Sequence, residues 1–241
     1  MMAFMRFEIR RSLRNVRFLV LLIAFPALLY LIYGTQKGTA QGLTVGAFVF
    51  VSMAVYSGMG SAMFASGPQL ARERQNGWMR QLRVSPISAR GWFIAKIVQG
   101  ILMIVPGLLV MIIVAVGGGH VHLPAARLGL LALILVAGAV PFCVLGLVIG
   151  LMLDGQTAQV TQMLVLIIMA FLGGIFIPWN QLPSGAQAVG KMLPSYHLSQ
   201  WGWETVGGKA FDMTHPIVLA AWAILLGLVA VWRWSKEASA G

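Results

Sequence analysis

The chain has 241 residues, of which 59% are hydrophobic and 10% charged, well under the roughly 25% charged share of an ordinary soluble domain. A water-soluble globule has nowhere to bury so much apolar surface, so the composition points to lipid as the solvent. The formal net charge of +11 does not indicate nucleic acid, because the 17 Lys and Arg fall between long apolar runs and not on one polar face.

The first 17 residues are expected to form an interfacial helix. Met2, Met5, Ile9, Leu13 and Val16 recur at three- and four-residue steps, and Arg6, Arg10, Arg14 and Arg17 follow one position along. Such a helix lies with its apolar side down and its guanidinium groups toward lipid phosphates; the alternative is a disordered basic tail.

Crossing about 30 Å of hydrocarbon takes about 20 apolar residues. Six runs come close: residues 18–33, 43–64, 97–116, 128–153, 160–177 and 217–232. The first is read as an uncleaved span, since no small-x-small cleavage site follows Tyr33. Tyr30, Tyr33, Trp232 and Trp234 are expected at headgroup depth. With the N terminus inside, 13 of the 17 basic residues lie on the cytoplasmic side, and only Lys37, Arg127, Lys191 and Lys209 outside. That bias predicts both termini in the cytoplasm. No run carries a mid-span Asp, Glu, Lys or Arg, so no proton relay or coupling-ion carboxylate is expected. Cys143 reads as a small apolar side chain in the fourth run, unable to form an internal disulfide because it is the one cysteine.

The expected fold is therefore an all-α integral membrane protein with six transmembrane helices. In chain order it comprises the interfacial helix 1–17, two spans within 18–67, a cytoplasmic loop 68–96, three spans within 97–177, an outer segment 178–216, a last span 217–234 and a cytoplasmic tail 235–241.

The loop reads PQLARERQNGWMRQLRVSPISARGWFIAK. It cannot span, because each Arg at a bilayer centre costs roughly 2.5 to 3.5 kcal/mol. Pro68 suits a first helical turn, few breakers follow before Leu82, and Ser85-Pro86 forces an extended step. A short helix parallel to the membrane is expected, bearing Arg72, Glu73, Arg74, Arg80 and Arg83. It is either a lipid-facing basic helix or a docking element for a cytoplasmic partner; the residues alone leave both open.

The outer segment has prolines at 178, 183, 194 and 216, with Trp179, Tyr196, Trp201 and Trp203 suited to an interface. It is too long and too apolar for a plain loop. Short re-entrant helices before the last span are expected, shielded by protein or a water-filled cavity; a structural lid is the alternative.

The run ARERQNGWMRQLRVSPISARGWFIAK is similar to the cytoplasmic loop of type-2 ABC exporter permeases, the membrane subunits of drug, polysaccharide and peptide exporters. Glu73, Gly77, Leu82 and Val84-Ser85-Pro86 match the family's pattern, and Gln75 stands where a second Glu is common. GGIFIP with Leu182-Pro183 and Leu193-Pro194 also resembles this family, which uses the region as an external gate or cap. The resemblance covers essentially the whole chain.

It implies a coupling helix seated in a groove of a separate ABC ATPase subunit, with Arg72, Glu73, Arg74, Gly77, Arg80, Leu82, Arg83 and Pro86 as partner-binding residues. It further implies pairing of two permeases, as a homodimer or heterodimer, in the cell membrane. The N-terminal helix often contacts the ATPase in that family. ATP and Mg would be bound by the partner, since this chain has no G-x-x-x-x-G-K-S/T pattern and needs no cofactor of its own. The cargo expected is amphipathic, lipid-like or drug-like. A non-transporting scaffold or sensor subunit is the alternative. An intramembrane enzyme is less favoured, because no Ser/His or paired-carboxylate constellation falls within the runs.

Three further features are read plainly. His120 and His122 lack nearby carboxylates or thiols for a metal and read as solvated loop residues. Asp154 is expected to cap the fifth helix, with an ATPase contact as the alternative. Glu204 reads as an interfacial carboxylate beside Trp203, with a functional role as the alternative if it dips below the headgroups.

Overall fold

The computed structural model describes residues 16–76, 89–118 and 121–239. The residues form ten helices α1–α10, joined at one point by a two-residue hairpin. Helix α1 (Val16–Tyr33) is followed by β1 (Thr39–Ala40) and β2 (Leu43–Thr44), antiparallel with Thr39 opposite Thr44. The turn between them, Gln41-Gly42, has positive φ at both positions, the mirror-type turn whose twist matches that of paired strands. Thr44 then caps α2 (Val45–Gln75), its Oγ1 accepting the Ala47 N–H at 3.3 Å.

After α2 come α3 (Ala89–Leu102) and α4 (Ile104–Ile112), extended by a π-helical turn to Gly117. Next are α5 (Ala125–Gly138), α6 (Val140–Met152) and α7 (Gly155–Leu172). Both interruptions have a proline cause. Pro106 cannot donate to the Leu102 carbonyl, nor Pro141 to that of Ala137, so the helix breaks just ahead of each. Beyond α7 lie a 3-10 turn (Trp179–Gln181), α8 (Ser184–Gly190), α9 (Pro194–Gly207) and α10 (Thr214–Ser239). Pro194 opens α9 where its missing N–H is harmless, and Gly208, at φ 71°, closes it in the left-handed region.

Among the described residues five helical segments are long and apolar enough to cross a membrane: Val45–Gln75, Gly91–Gly117, Ala125–Met152, Gly155–Leu172 and Thr214–Lys236. Helix α1 adds a shorter apolar stretch, Leu22–Tyr33. Helix α2 stands at the centre, with 94% of its apolar window buried, against 22% for the last segment. It packs on α1, α3, α4, α6, α7 and α9.

Helices α2 and α6 cross closely. Gly146 and Gly150 are one turn apart on α6, and a Cβ on either would overlap a backbone carbonyl of α2, that of Met63 or Gly67 respectively. Small residues at four-residue spacing let two backbones approach where lipid provides no hydrophobic drive to bring helices together.

Several sequence expectations change. Residues 68–75 are not a separate helix parallel to the membrane; they continue α2 straight through Pro68. At 31 residues α2 is about 46 Å long, overshooting a 30 Å core by roughly 16 Å. The next helix starts at Ala89, ahead of the expected 97, so Lys96 belongs to a helix and not to the loop. Residues 235–239 continue α10 and are not a tail. Tyr30 is fully buried by protein, and Trp234 packs against Trp92 with ring centroids 5.1 Å apart. Trp203, expected at an interface, is 3% exposed, stacked on Phe48, and donates its N–H to Ser52 Oγ at 3.2 Å. Val16 and Arg17 fall in α1, while residues 1–15 of the expected interfacial helix lie outside the described residues.

Candidate functional site: a polar cluster where four helices meet

The last turn of α2 carries Arg72, Glu73 and Arg74, and successive helical residues point about 100° apart. Each reaches a different neighbour. Arg72 Nη2 donates to Gln159 Oε1 of α7 at 3.3 Å, Glu73 Oε1 accepts from Lys96 Nζ of α3 at 3.1 Å, and Arg74 Nη1 donates to the Gly150 carbonyl of α6 at 3.1 Å. Three consecutive side chains thus fasten the end of α2 to three helices.

The Glu73–Lys96 pair is inside the bundle, with side-chain exposures of 8% and 0%. Desolvating two charges is expensive, and the geometry offsets it with further hydrogen bonds. Gln69, one turn before Glu73, donates to Glu73 Oε1 at 2.8 Å. Gln99, one turn after Lys96, donates to Gln69 Oε1 at 3.2 Å and to the Ala65 carbonyl at 3.3 Å. Lys96 also lies over the Trp92 ring, 5.5 Å from its centroid. Residues 92, 96 and 99 share one face of α3, as 69 and 73 share one face of α2.

Arg74 meets α6 at its C-terminal turn, where carbonyls lack intrahelical partners and the helix dipole is negative. Deeper in, Gln162 Nε2 of α7 donates to the Gly146 carbonyl at 3.0 Å, and a Cβ on Gly67 would overlap that amide. Gly155 lets the start of α7 abut Arg72 and Gln75. Asp154 occupies the N-cap position of α7, yet its side chain accepts no hydrogen bond from the helix, so the expected side-chain cap is absent among the described contacts.

Of the sequence-predicted site residues, Arg72 is exposed, Glu73 buried and Arg74 half-buried. Gly77, Arg80, Leu82, Arg83 and Pro86 lie outside the described residues, as does His120. Lys96, Gln69, Gln99 and Gln162 were missed. Their signal was available: Gln69 with Glu73 and Lys96 with Gln99 repeat at helical spacing, but placing Lys96 in a loop hid its face. Chemically the cluster can hold helices in register. Among the described residues no group of three or more His, Cys, Asp or Glu is placed to hold a metal ion.

A second polar group sits at the other end of the bundle, around the start of α2 and the end of α7. Ser199 of α9 donates to the Gly173 carbonyl at 2.9 Å, and Arg127 Nη1 of α5 donates to the Val206 carbonyl at 3.1 Å. Glu204, read from sequence as an interfacial carboxylate or a functional candidate, is paired with His215 at 3.1 Å.

Comparison with known proteins adds family evidence. A family model described as ABC-2 family transporter protein matches residues 25–234. The chain is also similar to the "Putative transport permease YvfS" of Bacillus subtilis (strain 168), with 27% identity over 232 residues that cover 95% of each chain.

Proposed function

We propose that the chain, which belongs to the ABC-2 transporter family, is the permease of an ATP-driven exporter. Family membership makes it a transporter's membrane subunit. In our reading it spans the cell membrane six times with both termini in the cytoplasm, counting α1 as the first span. It pairs with a second permease, identical or similar, and with separate ABC ATPase subunits that bind ATP and Mg. The cargo is amphipathic, lipid-like or drug-like and leaves the cytoplasm or inner leaflet between the paired chains. Helices α8 and α9 form the outer cap.

The observation that carries this reading is the fastening of Arg72, Glu73 and Arg74 to α7, α3 and α6. A push on residues 77–88, which link α2 to α3, would reach four helices through hydrogen-bonded contacts and shift them between two packings. This divides the roles of the partner-binding residues. Exposed Arg72, with Gly77, Arg80, Leu82, Arg83 and Pro86, would meet the ATPase. Glu73 and Arg74 would anchor the docking element in the bundle.

The test is transport of a fluorescent phospholipid analogue into inside-out vesicles holding the permease with its ATPase. Arg72→Glu is expected to lower ATP-dependent uptake at least tenfold while membrane insertion is unchanged. Wild-type uptake in Arg72→Glu overturns the coupling role. Failure of any ATPase to co-purify favours a scaffold or sensor subunit.

A further inference from the structure

The segment between α8 and α10 holds a chain of hydrogen bonds whose protons can be counted. His197 Nε2 lies 2.9 Å from the Lys191 carbonyl, His197 Nδ1 lies 3.1 Å from His215 Nδ1, and His215 Nε2 lies 3.1 Å from Glu204 Oε2. His197 and His215 are each 6% exposed. Three hydrogen bonds need three protons. Two neutral imidazoles and an ionised carboxylate supply two.

The carbonyl only accepts, so His197 Nε2 carries a proton. If His197 is neutral, its Nδ1 accepts from His215 Nδ1–H. His215 Nε2 then faces Glu204 Oε2, and without one more proton both are acceptors. Burial holds His197 below the usual histidine range, outweighing the opposite effect of the Lys191 carbonyl. That leaves the additional proton to His215 and Glu204.

We propose that Glu204, His215 and His197 form a proton-binding site that latches the start of α10 to α9. The latch is complete when one proton is shared between His215 and Glu204, and opens when it leaves. By linkage, closure takes up a proton, so the latch strengthens as pH falls and weakens as pH rises. Among the described residues no group of three or more His, Cys, Asp or Glu is placed to hold a metal ion, so the ring–ring contact is read as a hydrogen bond.

The surroundings favour a proton without supplying a competing base. Asp212 contributes negative charge to both imidazoles, and is itself engaged with the Thr214 N–H at 2.8 Å. Tyr196 lies edge-on to His197, with centroids 5.2 Å apart. Lys191 offers its carbonyl, and its side chain is exposed. From α5, Arg127 is held at the Val206 carbonyl. Helices α2 and α7 bring neutral contacts, Ser52 to Trp203 and the Gly173 carbonyl to Ser199.

The test uses the full chain in lipid nanodiscs and needs neither ATPase nor cargo, so it is separate from the proposed transport role. Amide exchange across residues 209–220, corrected for its intrinsic pH dependence, is expected to be at least tenfold slower at pH 6 than at pH 8. In Glu204→Gln the amide N–H donates to His215 Nε2 without an added proton. That variant is expected to stay protected at both pH values, with less than a twofold difference. Wild-type pH dependence retained in Glu204→Gln, or none in the wild type, overturns the proposal. Imidazole 15N shifts of the wild type provide a check that requires no variant: the signals of the two rings are expected to change together between pH 8 and pH 6, and two rings changing independently overturn the latch.

Discussion

The Glu73 carboxylate meets the Lys96 ammonium at 3.1 Å, where the Lys96 side chain has 0% exposure. Removing the carboxylate takes that ion pair away from a buried charge. Breaking such a pair costs about 3 to 5 kcal/mol, whereas replacing both partners with apolar groups is often neutral. Glu73→Ala is therefore expected to melt well below the wild type in detergent, and Glu73→Ala with Lys96→Met to recover most of the loss. A double variant no more stable than the single one would remove the pair from its central place. Neither residue's partner was legible in the sequence. Glu73 stood out as part of a charged loop, but its burial depends on α2 running on to Gln75 and on α3 starting at Ala89.

At the scale of elements, the α2–α6 crossing decides how tightly the bundle closes. The groups that a Cβ at Gly146 or Gly150 would meet are backbone carbonyls, which cannot swing aside as a flexible side chain can. Gly146→Val is expected to destabilise by at least the roughly 1 to 3 kcal/mol typical of overpacking, read as a lower melting temperature and less monodisperse protein. Gly129, with open space around it, is the control: Gly129→Ala is expected to be silent. Helix existence was readable from apolar run length, and the broken outer segment from its prolines. Helix ends were not, because a run of Arg and Gln continues a helix as readily as Leu does once it leaves the bilayer. Hence Pro68, read as a helix start, lies inside one.

For the whole molecule, the arginine-rich face and the buried cysteine give a clean labelling experiment. Cys143 is fully buried, so a membrane-impermeant maleimide is expected to ignore the wild type. With Lys209→Cys, labelling is expected in intact cells; with Gln75→Cys, only after permeabilisation. The reverse pattern would invert the proposed orientation and take the ATPase-docking role with it. The sequence by itself determined that this protein lives in lipid as a bundle of apolar helices, because hydrophobic content and run length are properties of the chain taken one stretch at a time. Tertiary structure alone decided that α2 is central, that Glu73 meets Lys96, and that His197, His215 and Glu204 line up across two helices. The reason is physical: in a bilayer an apolar residue looks the same in sequence whether it faces lipid or protein. Which polar groups meet is fixed only when the helices have packed.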